Sequence, residues 1–149
     1  MNKITRLNER GLTLIELLAV IVILGIVASI GIIAITTVIQ NMKDRSFIGN
    51  ALAIKEAASF YIRQEAANDK DLPEQLTYKT LVDNHFIEQI KDPDTGNYIT
   101  PSDQIYVVIN KVSVSAVCLK GEKRSLCSFN GKEQAIPIAE LSTDLITVN

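Results

Sequence analysis

Glu16 is the one charged side chain between Leu12 and Met42. It stands in Gly11-Leu12-Thr13-Leu14-Ile15-Glu16-Leu17-Leu18, one turn inside an apolar run. That run exceeds the roughly 20 residues a helix needs to cross a bilayer. Placing an acidic group in hydrocarbon costs roughly 2.5–3.5 kcal/mol on insertion scales, so a carboxylate here needs a partner. If the chain were cut between Gly11 and Leu12, the new α-amine of Leu12 would lie one helical turn from Glu16, on the same face. Each group would lower the other's burial cost. Within one copy such a pair is inert. Between copies, the amine of an incoming chain would neutralise Glu16 of one already in place. That would set the axial register of two otherwise featureless helices, as a buried polar residue does in a coiled coil. The simpler reading has Glu16 reaching the lipid headgroups at a helix start, where the dipole favours negative charge.

Other groups with chemical potential are few. Cys118 and Cys127 bound a ten-residue segment and read either as a disulfide or as two buried thiols. Closing that loop contributes roughly 2.5–3 kcal/mol in the chain-entropy model. The spacing is not that of a zinc ribbon, and the single histidine, His85, lies elsewhere and reads as a partly buried helix residue. Asp92, Asp94 and Asn97 offer oxygen ligands, but they do not follow the EF-hand pattern and a turn accounts for them. No metal is expected. Lys120-Gly121-Glu122-Lys123-Arg124 is net +2. It reads as a solvated hairpin tip in preference to a contact for DNA phosphates. No nucleophile–base set, phosphate-cradling glycine loop or paired acid is evident, so neither catalysis nor a cofactor is expected.

The elements that position these groups follow from periodicity. The helical signal starts at Leu12 and meets no firm stop before Asn68–Pro73. A helix of that span would be about 85 Å long at 1.5 Å per residue, more than a small domain needs, so half of it must be covered by a membrane or by copies of itself. Gly25 and Gly31 lower helix propensity by ~1 kcal/mol each, which a membrane tolerates. Gly25 and Ser29 form a small-x-x-x-small pair that lets another helix approach closely. Beyond Asn41 the helix turns amphipathic. Phe47, Ala51, Ile54, Ala58, Tyr61 and Ile62 share one arc, which Lys55 interrupts, while Phe60 points away. A second helix is expected over Thr80–Ile90, with Leu81, Val82, Phe86, Ile87 and Ile90 inward. After the turn at Asp92–Asn97, strands are expected at Ile105–Ile109, Val112–Leu119 and Leu126–Phe129, the last two as a hairpin. Ala135–Leu141, held to an edge by Pro137, and Leu145–Val148 complete the β signals. One long helix followed by an antiparallel sheet makes an α+β fold.

Charge sets the orientation. The net charge is −2, yet Met1–Gly11 carries +2, leaving a mildly acidic remainder. The cations ahead of the run keep the amino terminus cytoplasmic and send the domain after Lys43 across the membrane. There, disulfides are allowed. The apolar run is too long for a signal-peptide core and no small-residue cleavage site follows it. An acidic body argues against sequence-independent nucleic-acid binding over its whole surface.

Gly-Leu-Thr-Leu-Ile-Glu-Leu-Leu followed by an apolar helix resembles the amino-terminal signature of prepilins, the precursors of type IV pilins and pseudopilins; the likeness spans Gly11–Ala34. Leu72-Pro73, Leu81–Ile87 and Asp92-Pro93 are similar, less specifically, to the segment between helix and sheet in that superfamily. The resemblance implies a pilin-like fold and cleavage after Gly11 by a membrane aspartyl prepilin peptidase. It also implies N-methylation of Leu12 and a role for Glu16 in docking the next subunit. C-terminal disulfide loops are frequent in pilins, which favours the Cys118–Cys127 bond; calcium sites occur in some pseudopilins. Leu12 stands where the family usually has Phe. A helix-breaking Pro common in the family is absent near Ile33, leaving Gly25 and Gly31 to supply compliance. The expected organisation is a leader over 1–11, a membrane and assembly helix over 12–40, and an extracytoplasmic domain over 41–149. The expected partners are membrane lipid, like or related subunits in a filament, and an assembly platform with its ATPase. The filament itself would lie outside the cytoplasmic membrane. An anchored extracytoplasmic binding domain that never polymerises is the alternative.

Overall fold

A computed structural model describes residues 9–148, except for the side chains of residues 9–12, 33 and 34. Met1–Asn8 and the side chains of Glu9–Leu12 lie outside the described residues, so most of the expected leader falls there, while the backbone at the expected cleavage point, Gly11–Leu12, lies within a helix. Helix α1 runs over Glu9–Ala67. The chain divides into two compact units, Met1–Asn41 and Met42–Asn149.

In the first unit, the large apolar side chains described from Leu14 to Ile39 are 44–73 % exposed. No described residue covers them. In the second unit α1 has a buried face: Phe47, Ala51, Ile54, Ala58 and Ile62 are fully inaccessible, Ala57 nearly so, and Phe60 is 62 % exposed. The arc read from periodicity is the arc that packs. Its cover is an antiparallel sheet, from which Leu76, Val107, Val117, Leu119, Leu126 and Ile136 join the same core cluster.

The sheet comprises β1 (Gln75–Thr77), β2 (Tyr106–Asn110), β3 (Ser113–Lys120), β4 (Arg124–Leu126), β7 (Ile136–Pro137) and β8 (Thr147–Val148). Its order is β1-β2-β3-β4-β8, with β7 on β3. β5 (Ser128–Phe129) and β6 (Lys132–Glu133) form a separate hairpin. Long strand β3 changes neighbours along its length, pairing with β7 at Ala116 and Val117 and with β4 at Leu119 and Lys120. Cys118 sits at that changeover, and Cys127 is where the chain leaves the sheet for β5. The one long helix packed on a small antiparallel sheet is the α+β, pilin-like arrangement expected.

Local details differ from expectation. Helix α2 spans only Tyr78–Asp83, not Thr80–Ile90. Thr77 caps its start, accepting the Thr80 N–H at 3.2 Å. His85 ends it in the left-handed region at φ 62°, with His85 N–H bonded to Val82 O at 3.0 Å and Phe86 N–H to Leu81 O at 2.9 Å. This is a Schellman stop, and a histidine in place of the usual glycine gives no signal in the sequence. His85 is exposed and lies past the helix, a correction to its reading as a partly buried helical residue. Phe86, Ile87 and Ile90 still pack inward as a loop. The hydroxyl of buried Tyr78 accepts the Ile90 N–H at 2.8 Å, and burial pushes its pKa up. Leu126–Phe129 is broken at Cys127 into β4 and β5. Only Ile136 and Pro137 of Ala135–Leu141 are strand, and β8 keeps only the end of Leu145–Val148.

Candidate assembly segment and the ion clamp of the second unit

Glu16 lies in α1 with its side chain exposed, flanked by Ile15 at 65 % and Leu17 at 64 % exposure. The segment from Thr13 contains a stretch of mean hydropathy 3.1, none of it buried. By length and composition it can cross a membrane. Ser29 Oγ donates to Gly25 O at 2.8 Å, so the hydroxyl is satisfied within its own helix and the pair presents a small surface. A Cβ on Gly25 or Gly31 would meet no heavy atom within 4 Å. Among the described residues no contact requires either glycine.

Cys118 and Cys127 are joined in a disulfide, their Cα atoms 4.5 Å apart. In the β3–β4 register, where Leu119 faces Leu126, they are the next facing pair. The short separation is that of a non-hydrogen-bonded antiparallel pair.

The disulfide loop contains a site that sequence reasoning missed. Arg124, read as part of a solvated tip, is 7 % exposed. Its guanidinium forks onto Asp94, Nε to Oδ2 at 2.5 Å and Nη2 to Oδ1 at 2.9 Å. Its Nη1 also bonds Asp44 of α1. Lys43 Nζ adds a contact to Asp94 Oδ1 at 3.3 Å. Hydrogen bonds from Arg124 hold the Asp94 carboxyl below its ordinary pKa, outweighing burial, with Lys43 assisting. The same pairing raises the Arg124 pKa. Beneath them, Asp92 is 2 % exposed. Its Oδ1 accepts the Asp94 N–H at 2.7 Å and its Oδ2 the Glu122 N–H at 2.9 Å. A Cβ at Gly121 would stand 2.6 Å from Asp92 Oδ2 and 2.9 Å from the Phe47 ring. Only glycine fits there without displacement.

The acidic turn is thus committed to internal partners, and the chain supplies its own cation through Arg124. Among the described residues no group of three or more His, Cys, Asp or Glu is placed to hold a metal. Lys120 pairs with Glu133 at 2.5 Å, so two of the three cations in Lys120–Arg124 are engaged within the chain. Charge patterning did not separate Arg124 from Lys123. What distinguishes them is strand register, which turns Arg124 toward α1 and the Asp92–Asn97 turn.

An apolar helix opened by Gly-Leu-Thr-Leu-Ile-Glu, long enough to cross a membrane, runs on into a helix-on-sheet domain, a pilin-like arrangement. Residues 6–32 match the family model described as the prokaryotic N-terminal methylation motif, the signature of type IV pilins and pseudopilins. The match ends within α1. No curated protein and no solved structure matches the chain.

Proposed function

We propose that the protein is a structural subunit that is cut after Gly11 by a prepilin peptidase, methylated at Leu12, and polymerised through α1 into a pilus-like filament. Glu16 receives the methylated amine of the neighbouring subunit. Gly25 and Ser29 let adjacent helices approach, and membrane lipid covers the same surface before assembly. The observation that carries the reading is the methylation motif at residues 6–32. It coincides with an apolar surface exposed along the whole described stretch from Leu14 to Ile39, far beyond the few hundred Å² that monomers usually leave open. The leader is 1–11, the assembly helix 12–40, and the extracytoplasmic domain 41–149. An assembly platform and its ATPase lift subunits from the cytoplasmic membrane into the filament. The role is structural, with no substrate turned over.

The mass of the protein recovered from cells tests this reading. A chain beginning at N-methylated Leu12 is expected; an intact Met1 in cells that contain a prepilin peptidase overturns it. Gly11→Ala lessens or blocks processing. Glu16→Ala leaves a processed monomer that assembles poorly, and wild-type filament yield from that variant removes the role given to the carboxylate.

A further inference from the structure

We propose that the Cys118–Cys127 disulfide and the Arg124 clamp form one latch: the clamp limits access of a dithiol reductant to the sulfurs, and the closed ring holds Arg124 on Asp94 and Asp44. Cys118 is fully buried and Cys127 is 3 % exposed, so exchange requires an opening motion. The hairpin itself is short, with only Leu119–Leu126 and Lys120–Ser125 as ladder pairs between β3 and β4. Its tip is tied to other elements by Arg124, bonded to the turn through Asp94 and to α1 through Asp44, by the Glu122 N–H on Asp92, and by the β8 pairing at Arg124 and Ser125. Lifting the tip takes the guanidinium fork from Asp94, whose side chain is only 6 % exposed, and leaves it the longer Lys43 contact at 3.3 Å; removing the main partner of a desolvated carboxylate is costly. The dependence runs the other way as well. Arg124 lies three residues before Cys127, at the point where the chain departs toward β5. Without the bond, that departure is held by the short β4 ladders to β3 and β8, by burial of Leu126, and by the Gln134 N–H on the Cys127 carbonyl at 3.0 Å.

In the redox step a thiolate of the dithiol attacks one protein sulfur, and its second thiol resolves the mixed disulfide. The protein gains two electrons and two protons as two thiols, and the reductant leaves as its own cyclic disulfide. When opening is fast relative to exchange, the observed rate scales with the open population. Linkage makes the coupling reciprocal: whatever the clamp contributes to the closed ring, the ring returns to the clamp.

The test follows thiol release from the full chain in detergent micelles, with dithiothreitol as reductant and alkylation read by mass. Arg124→Met is expected to release thiols about tenfold faster or more. Arg124→Lys, which keeps the charge but loses the fork, falls between. Equal rates, within about twofold, for wild type and Arg124→Met overturn the proposal. Amide exchange at Ile54 and Val107 is followed in the same samples. If Arg124→Met loosens those core amides too, Asp44→Asn carries the test, since it leaves the Arg124–Asp94 fork intact. Faster thiol release is again expected, and an unchanged rate overturns the latch. In the reverse direction, the double variant Cys118→Ala, Cys127→Ala is expected to speed exchange at the Asp94 and Gly96 amides by a similar factor; unchanged protection there overturns the reciprocal half.

Discussion

Gly25 and Gly121 are the same residue type under opposite constraints. Around Gly25 a Cβ would meet no atom within 4 Å among the described residues beyond the helix's own backbone; around Gly121 it would stand 2.6 Å from a buried carboxylate oxygen and 2.9 Å from an aromatic ring. The same contrast divides the two units. From Leu14 to Ile39 the described apolar side chains are exposed, with no cover among the described residues. In the second unit even a charged residue of the hairpin, Arg124, is committed to acids of α1 and of the Asp92–Asn97 turn. A surface with no internal partner is a surface kept for others. A surface whose donors and acceptors are all used is there to hold shape.

Substitutions sharpen this contrast, and the largest effect is expected inside the second unit. Phe47→Ala empties a fully buried ring site and is expected to cost about 3–5 kcal/mol in urea unfolding. Arg124→Met, which leaves the part-buried Asp94 with only the longer Lys43 contact, is expected to cost about 1.5–3 kcal/mol by the same measurement. Loss of less than about 1 kcal/mol in either would mean the site is looser than its packing indicates.

Gly121→Ala follows, at about 1–3 kcal/mol, because the added methyl must displace Asp92 or Phe47. Gly25→Ala is its counterpart and should leave unfolding of the second unit unchanged while lowering filament yield. Filaments at wild-type yield would show that the small surface at Gly25 and Ser29 is not used in packing.

Acid acts on the clamp with a definite sign. Asp94 has a folded pKa below its unfolded value, near 3.9. Its stabilisation is therefore complete above that value and lost as pH falls through the lower folded one. Thermal scans are expected to show the wild type losing melting temperature below about pH 4 more steeply than Asp94→Asn. Parallel curves would remove Asp94 from the acid response.

The smallest effects belong to exposed groups. Lys120→Ala breaks a surface pair with Glu133 and is expected to leave the urea midpoint where it was. Phe60→Ala removes an exposed ring with Arg63 5.9 Å from its centroid, and should change stability by less than about 0.5 kcal/mol. A drop in filament yield with unchanged stability would assign that ring to a neighbouring subunit.

The long helix, its apolar first half, the inward arc from Phe47 to Ile62 and the Gly11–Glu16 signature were all legible in the residues. Each is a matter of local composition or of a period that repeats along the chain. Such patterns are set by neighbours three or four positions away, so they survive without knowledge of the fold. The end of α2 was not legible, because His85 adopts a left-handed conformation that a glycine would have announced. Nor was the burial of Arg124. Asp44 lies 80 residues before it and Asp94 lies 30 before it, and no spacing rule links them. Only the register of β3 against β4, and the packing of the sheet on α1, brought two acids and one arginine into contact. Long-range pairing of charges depends on which faces of distant elements meet. That meeting is decided by the burial of Phe47, Leu119 and Leu126, not by the charges themselves.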